Sequence, residues 1–321
     1  MKWCLIPEET DPWFCLAAEE YLLKNHREDM VMIWQCHHTV VVGKHQNLMA
    51  EINYRYVREN GIRLARRISG GGTVFHDAGN INFSFLKSID SPQEVSFRNF
   101  TEPIIRALAD LGIEAGTSGR NDLLVGGKKI SGNAEHIFKN RVLHHGTLLF
   151  DADLKRLGEA IRPSPGLYQS KAVASYRSPV VNISEFLSRP MTREDFILYL
   201  ATQLKKAYPE MNDYQLTSVE KESIRQLSEQ KYSTGDWIFG YSPVYRFTRT
   251  AFPDNKELNI ALEVDKGTIK KAGLSGSYYR PEEARLLEAL LSGQYHLFEP
   301  ILEVHQSVGL QADDELIYSY F

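Results

Sequence analysis

Cysteine is scarce in this chain and confined to its start, with Cys4, Cys15 and Cys36 the only three in 321 residues. An odd, low number without Cys-x-x-Cys spacing excludes a disulfide framework and a cysteine zinc site, and it fits a reducing compartment. Each of the three reads as a small buried hydrophobe rather than a nucleophile. Long apolar runs are missing as well: none approaches the roughly 18 residues a membrane-spanning helix needs. The opening Met1–Glu9 has neither the apolar core of a signal peptide nor an Arg-rich transit pattern. A cytoplasmic protein without membrane association is expected. An excess of positive charge is also absent. The 37 Lys and Arg against 41 Asp and Glu leave a formal charge of −4, which offers no field for nucleic acid. There is no internal repeat, no low-complexity segment and no His/Asp/Glu cluster with dedicated metal spacing.

What remains is an ordinary globular composition, 43% apolar and 24% charged, in a chain long enough for one large domain and a small one. Asp11-Pro12 reads as a helix start, followed by an apolar face of Phe14, Ala17, Ala18, Tyr21 and Leu22. Val31–Trp34 and Thr39–Val42 read as a strand pair, and Ile81–Phe85 alternates as a half-buried strand. Asn53 caps a short helix, and Phe100 to Leu111 forms a helix stripe stopped by Gly112. Gly126-Gly127 joins two short strands in a tight hairpin. Residues 162–179 form a long Ser/Pro/Gly-rich loop of the kind that serves as a lid or stays irregular. Thr192 and Thr217 open further helices, the latter with a capping-box pattern. After Pro243 the character changes to three antiparallel strands and a helix from Pro281, so a boundary is expected near residues 241–246.

Chemistry concentrates in three stretches. The first is Arg66-Arg67-Ile68-Ser69-Gly70-Gly71-Gly72-Thr73-Val74-Phe75-His76-Asp77-Ala78-Gly79-Asn80. Three glycines let a backbone fold its amides around an anion, and the arginines supply charge-assisted donors for phosphate or carboxylate oxygens. Gly-Gly-Gly alone serves a plain turn equally well; the flanking arginines and His-Asp-x-Gly-Asn favour a ligand loop. The second stretch runs from Gly119-Arg120-Asn121-Asp122 through Lys128-Lys129-Ile130-Ser131-Gly132. Neighbouring strand residues face opposite ways, so only one of the two lysines points into a given site. The third is Leu143-His144-His145-Gly146-Thr147-Leu148-Leu149.

Together these stretches closely resemble the lipoate–protein ligase A family, over nearly the whole chain. The matches are Arg-Arg-x-Ser-Gly-Gly-Gly-x-Val-Phe-His-Asp-x-Gly-Asn, Ser-Gly-Arg-Asn-Asp, Lys-x-Ser-Gly and His-His-Gly-Thr-Leu-Leu, with Asp11-Pro12-Trp13-Phe14 and Glu19-Glu20 before them. The resemblance implies an α+β fold. Residues 1–243 would be a mixed-sheet catalytic domain binding lipoate and ATP, like the cores of biotin ligases and class II tRNA synthetases. Residues 244–321 would be a small C-terminal α+β accessory domain. It implies a two-step reaction: ATP, with Mg2+, activates lipoate as lipoyl-AMP, and a lysine of an acceptor protein then takes the lipoyl group. The acceptors implied are lipoyl domains of 2-oxoacid dehydrogenase E2 subunits and the glycine-cleavage H-protein, with the enzyme a monomer.

Carried over by motif, Lys129 is the catalytic cation and contacts both substrates. Arg67, Gly72, Thr73, Val74, Phe75, Asn121 and Asp122 join it at ATP. Gly71, His76, Asn80, His145 and Gly146 join it at lipoate. Asp122 faces the phosphates directly or through Mg2+. His76 and His145 also admit a purely structural use. Two other readings stand beside this one. The first is an octanoyl or lipoyl transferase, whose usual cysteine thioester needs a pocket thiolate that residues 67–80 and 119–147 lack. The second is a non-catalytic lipoate-binding relative. Biotin ligases carry a Gly-Arg-Gly-Arg type loop that is absent here.

Overall fold

The structure is a computed structural model that describes residues 1–91, 95–119, 121–162 and 164–321; Arg120 of the Ser-Gly-Arg-Asn-Asp motif lies outside the described residues. The strands in chain order are β1 (Trp3–Leu5), β2 (Met30–Trp34), β3 (Thr39–Val42), β4 (Arg63–Arg66), β5 (Val74–His76), β6 (Asn80–Ser88), β7 (Gly116–Thr117) and β8 (Asp122–Val125). They continue with β9 (Lys128–Phe138), β10 (Arg141–Leu149), β11 (Tyr168–Ser170), β12 (Asn212–Tyr214), β13 (Tyr245–Ala251), β14 (Leu258–Asp265) and β15 (Thr268–Gly276). The fold is α+β, and the chain forms two compact units, each drawn from three separate stretches.

The first unit comprises Met1–Gly43, Arg63–Gly158 and Tyr176–Ser233. Its eight-stranded sheet has the order β12-β1-β2-β6-β10-β9-β8-β7, with β1 parallel to both neighbours and the remaining pairs antiparallel. One face of the central strands carries Ile33, Ile81, Phe83 and Phe85 into a core closed by helices Phe97–Asp110 and Arg193–Ala207. Residues directly opposite share a face, so Trp34, Asn82 and Thr147 lie together on the other side, as do Ser84 and His145. The helix Pro12–Asn25 packs on that side, its first turn capped by Asp11, whose carboxylate accepts from Phe14 N at 2.9 Å. Hence β6 is buried from Asn80 to Leu86, not half-exposed as its alternation implied. Its polar residues face a second buried layer instead of water.

The strand pair expected of Val31–Trp34 and Thr39–Val42 does not form. β2 lies between β1 and β6 in the large sheet, whereas β3 lies between β4 and β5 in a separate three-stranded sheet. Apart from Thr39 both runs are apolar, and both are buried on both faces. Such a run signals burial without specifying a partner. This small sheet carries the glycine loop, which links β4 to β5.

The second unit comprises Lys44–Ile62, Glu159–Ser175 and Thr234–Phe321. Its sheet has the order β11-β13-β14-β15, so the three strands read from the C-terminal sequence gain an edge strand from the long 162–179 segment. The β14–β15 hairpin turns through Lys266 (φ 52°) and Gly267 (φ 72°), the positive-φ pair a two-residue turn needs. Phe321 stacks on Tyr54 at 4.3 Å and on His296 at 4.9 Å. The stretch from residue 244 onward thus shares one core with two earlier stretches of chain.

Candidate active site

Between β4 and β5 the chain turns through the glycines, and both arginines of the motif point back into the protein. Arg66 is fully buried and donates from Nη1 to Gly43 O at 3.0 Å. Arg67 Nε donates to Ser69 Oγ (3.0 Å) and Gly70 O (3.1 Å), and Nη2 donates to Gly70 O (2.6 Å) and Gly72 O (2.7 Å). Its Nη1 reaches Val41 O at 3.3 Å. The guanidinium is therefore occupied in holding the loop's carbonyls. Burial lowers its pKa to about 10, so it stays charged at neutral pH. In a trans peptide the C=O and the following N–H point opposite ways, so the Gly71 and Thr73 amides face away from Arg67. Gly71 is exposed with φ 87°, and a Cβ there would lie 2.9 Å from Arg67 Nη2. Only glycine fits that position without strain.

Beneath the loop runs a buried polar chain that the motifs did not reveal. Trp34 Nε1 donates to Ser84 Oγ (2.9 Å), and Ser84 donates to Glu19 Oε1 (2.5 Å). His145 Nδ1 lies 2.9 Å from the same carboxylate, and its Nε2 lies 2.6 Å from Ser69 Oγ. An ionised carboxylate only accepts, so Nδ1 carries the ring proton and Nε2 accepts from Ser69. Ser69 in turn accepts from Arg67. The buried Glu19 is thereby satisfied, and its charge is linked through His145 and Ser69 to the loop-holding guanidinium. Nearby, His76 is buried with Nδ1 3.1 Å from Cys36 Sγ. Burial, with Arg67 and His145 close by, pushes its pKa down to about 3. Asn80 Nδ2 donates to Asn82 Oδ1 at 3.0 Å.

The second cluster is built by the β8–β9 hairpin. Gly126 (φ 56°) and Gly127 (φ 78°) form its two-residue turn. Lys128 is exposed, whereas Lys129 is half-buried with Nζ 2.9 Å from Asp122 Oδ1. A Cβ on Gly132 would lie 2.9 Å from Lys129 Nζ and 3.0 Å from its Cε, so the ammonium lies over this glycine. The Lys129 backbone is pinned by segment 179–181: its N donates to Pro179 O (2.8 Å), and its O accepts from Val181 N (3.0 Å). Asn121, with φ 69°, accepts at its carbonyl from Asn133 Nδ2 at 2.9 Å. The two clusters meet over β9, since a Cβ on Gly71 would lie 3.5 Å from Ala134 Cβ, two residues beyond Gly132.

Thr73 and Phe75 are buried and Val74 is half-buried at the start of β5. Gly146 stands on the opposite sheet face from His145. A Cβ there would meet Asn133 Oδ1 at 2.2 Å and Phe83 Cζ at 2.5 Å, which makes it a packing glycine of the core. Among the described residues no group of three His, Cys, Asp or Glu side chains is placed to hold a metal.

Comparison with known proteins places the chain in a family. A profile described as the lipoyl protein ligase A/B catalytic domain matches residues 11–205. The chain belongs to this family. The lipoate-protein ligase LplJ of Bacillus subtilis is 38% identical over 94% of this chain and 92% of its own length. Lipoate–protein ligase 1 of Staphylococcus aureus is 40% identical over 97% of this chain and 93% of its own. Among solved structures, a lipoate-protein ligase A bound with ATP is 27% identical with a TM-score of 0.65, covering 75% of this chain and all of that one. A bi-partite lipoate protein ligase from Thermoplasma acidophilum, described with its E2 lipoyl domain, is 25% identical with a TM-score of 0.64 over 75% of this chain and 96% of that one.

Within this family's pattern the sequence pointed to the loop glycines, Lys129 and Asp122, and the structure gathers them over one strand. Sequence reasoning noted Glu19 only as part of a motif and missed its bonds to Ser84 and His145, through which it reaches Trp34 and Ser69. Its one signal was a carboxylate directly after the apolar run of residues 13–18, a residue type almost never fully buried unless paired.

Proposed function

We propose that this chain is an ATP-dependent lipoate–protein ligase that forms lipoyl-AMP and passes the lipoyl group to a lysine of a lipoyl-domain protein. The Lys129 ammonium over Gly132, beside the glycine loop, carries the reading. In the first step a lipoate carboxylate oxygen attacks the α-phosphorus of ATP and the bond to pyrophosphate breaks. Negative charge gathers where Lys129 and the outward loop amides stand, and preorganised donors there lower the barrier. Arg67 contributes by fixing the loop, with Glu19, His145 and Ser69 behind it. Asn121, Asp122, Thr73, Val74 and Phe75 bound the nucleotide side; His76, Asn80 and His145 bound the acyl side.

In the second step the acceptor amine attacks the acyl carbonyl, loses its proton, and AMP departs. At pH 7 that deprotonation costs about 4.6 kcal/mol for an ordinary lysine. Mg2+ fits as an ion brought by ATP, because Asp122 is a single carboxylate rather than a protein cage, and ATP-borne Mg2+ needs only one or two. The ion supplies charge neutralisation on the phosphates. We assign the ligase chemistry to the part of residues 1–243 that forms the first unit, and an accessory role to 244–321 together with the stretches 44–62, 159–175 and 234–243 that share its core. A cytoplasmic monomer acting on E2 lipoyl domains and H-protein completes the reading; no described helix is long and apolar enough to cross a membrane.

A cysteine-thioester transferase is disfavoured by the thiols themselves. All three are buried, burial lifts Cys4 to about 11, and it raises Cys15 and Cys36 well above the ordinary range. The test is a panel of purified E2 lipoyl domains and H-protein incubated with enzyme, lipoate and ATP and read by intact mass. Lipoylation of at least one acceptor lysine, dependent on ATP, is expected. Modification without ATP, or none on any acceptor, contradicts the proposal.

A further inference from the structure

Three buried polar atoms near β6 lack a partner among the described residues: His76 Nε2, Asn80 Oδ1 and Asn82 Nδ2. Their residues are 3% exposed or less. Orphans of this kind, gathered in one place, mark where a ligand completes the hydrogen bonding. His76 has a partner on its other nitrogen only, Cys36 Sγ at 3.1 Å from Nδ1. A thiol has one weak proton to give and only a weak acceptor in its sulfur, while an unprotonated imidazole nitrogen is a good acceptor. The S–H therefore donates to Nδ1, and the neutral ring keeps its proton on Nε2.

The direction of the ligand follows from its chemistry. The lipoate carboxylate must meet the α-phosphate, and so lies with Lys129, which keeps 23% of its side chain in contact with solvent. The dithiolane end is left to the buried side, where Trp34 stands edge-on to His76 with ring centres 5.8 Å apart. Resting on the ligase reading above, we infer that Cys36 is a positioning residue for acyl selectivity. Its thiol holds His76 in the Nε2–H tautomer, and that N–H donates to a dithiolane sulfur of lipoate. A saturated acyl chain such as octanoate has no acceptor at that end, so the bond favours lipoate over it.

The test compares wild type with Cys36→Ser, which keeps a donor, and with Cys36→Val and Cys36→Ala, which remove it without exchanging a thiol for a charge. Two readouts are taken on the full chain. Nitrogen-15 NMR of histidine-labelled protein, with the His76 signals assigned by His76→Gln, reports the tautomer. Steady-state adenylation kinetics report KM and kcat for lipoate and for octanoate. Wild type and Cys36→Ser are expected to show the Nε2–H pattern. The apolar variants should lose it as the sole form and raise the lipoate KM about 3-fold, the lower part of the range of one neutral hydrogen bond because sulfur accepts weakly. Their kcat, and their octanoate KM, should stay within about twofold. An Nδ1–H pattern in wild type overturns the inference. So does an apolar variant with unchanged tautomer and lipoate KM, or an equal rise for octanoate. A wild type inert toward both acids would refute the ligase reading and with it the selectivity role, and the NMR arm would still decide separately whether Cys36 sets the His76 tautomer.

Discussion

Lys128 and Lys129 are adjacent in sequence and opposite in environment. The Lys129 ammonium sits over Gly132 against Asp122, whereas Lys128 projects into water. Removing one positioned donor from a site of developing negative charge costs about 2.7–4 kcal/mol of barrier, roughly 10²–10³ in rate. Lys129→Ala should therefore lose at least that in lipoate activation, and Lys128→Ala should stay within a few-fold of wild type. Steady-state kinetics on the two variants check this, and comparable losses would mean that the strand register is wrong. Lys129→Arg should also be poor, because a planar fork does not replace a compact ammonium. At this scale strand alternation showed that only one of the two lysines faces a site, and the resemblance, through Lys-x-Ser-Gly, said which one. The inward turn of Arg67 was not legible. A guanidinium beside glycines is equally suited to a ligand's oxygens and to the loop's own carbonyls, and only the path of β3 behind it decides. The Glu19–His145 contact joins residues 126 positions apart, which no local pattern encodes.

Helix starts were the most legible elements, because caps are local chemistry. Asp11 with Pro12, Thr192, and the Thr217–Glu220 capping box all stand where the sequence placed them. Strand partners were the least legible. β2 and β3 are consecutive, apolar except for Thr39 and in different sheets, and the segment 162–179 hides an edge strand whose partner lies beyond residue 240. The loop between β4 and β5 was legible as glycine-dependent and can be tested as an element. Gly71 combines φ 87° with a close approach of Arg67 Nη2 to its missing Cβ. Gly71→Ala should store about 1–3 kcal/mol of backbone strain in the loop. Its expected signature is at least a tenfold fall in adenylation with a thermal midpoint within a few degrees of wild type, measured by calorimetry beside kinetics. Unchanged kinetics would show that the loop's shape is not used in the reaction.

The molecule as a whole keeps neutral imidazoles in both of its units. His76 is held down to about 3 by burial, and His296, bonded to Tyr245 and to Tyr320 O, to about 4. At pH 7 each ring is mostly neutral whether the chain is folded or not. Below the ordinary value of 6.5 the unfolded ring takes a proton that the folded ring refuses, so stability falls as pH drops from about 6.5 toward 4. By pH 5 each contributes roughly 2 kcal/mol of lost stability. Urea midpoints at pH 7 and pH 5 should show that decline, and a midpoint that holds steady between them would contradict it. The interleaving of the two units was not legible, since a composition change near residue 243 says nothing about which earlier stretches complete the C-terminal core. In the proposed reaction the first unit activates an acyl acid with ATP before any acceptor is present. Lipoate-dependent exchange of labelled pyrophosphate into ATP by the purified chain alone measures that step. Exchange that requires lipoate and is abolished in Lys129→Ala is expected. Lipoate binding without exchange, or exchange untouched by loss of Lys129, would contradict it.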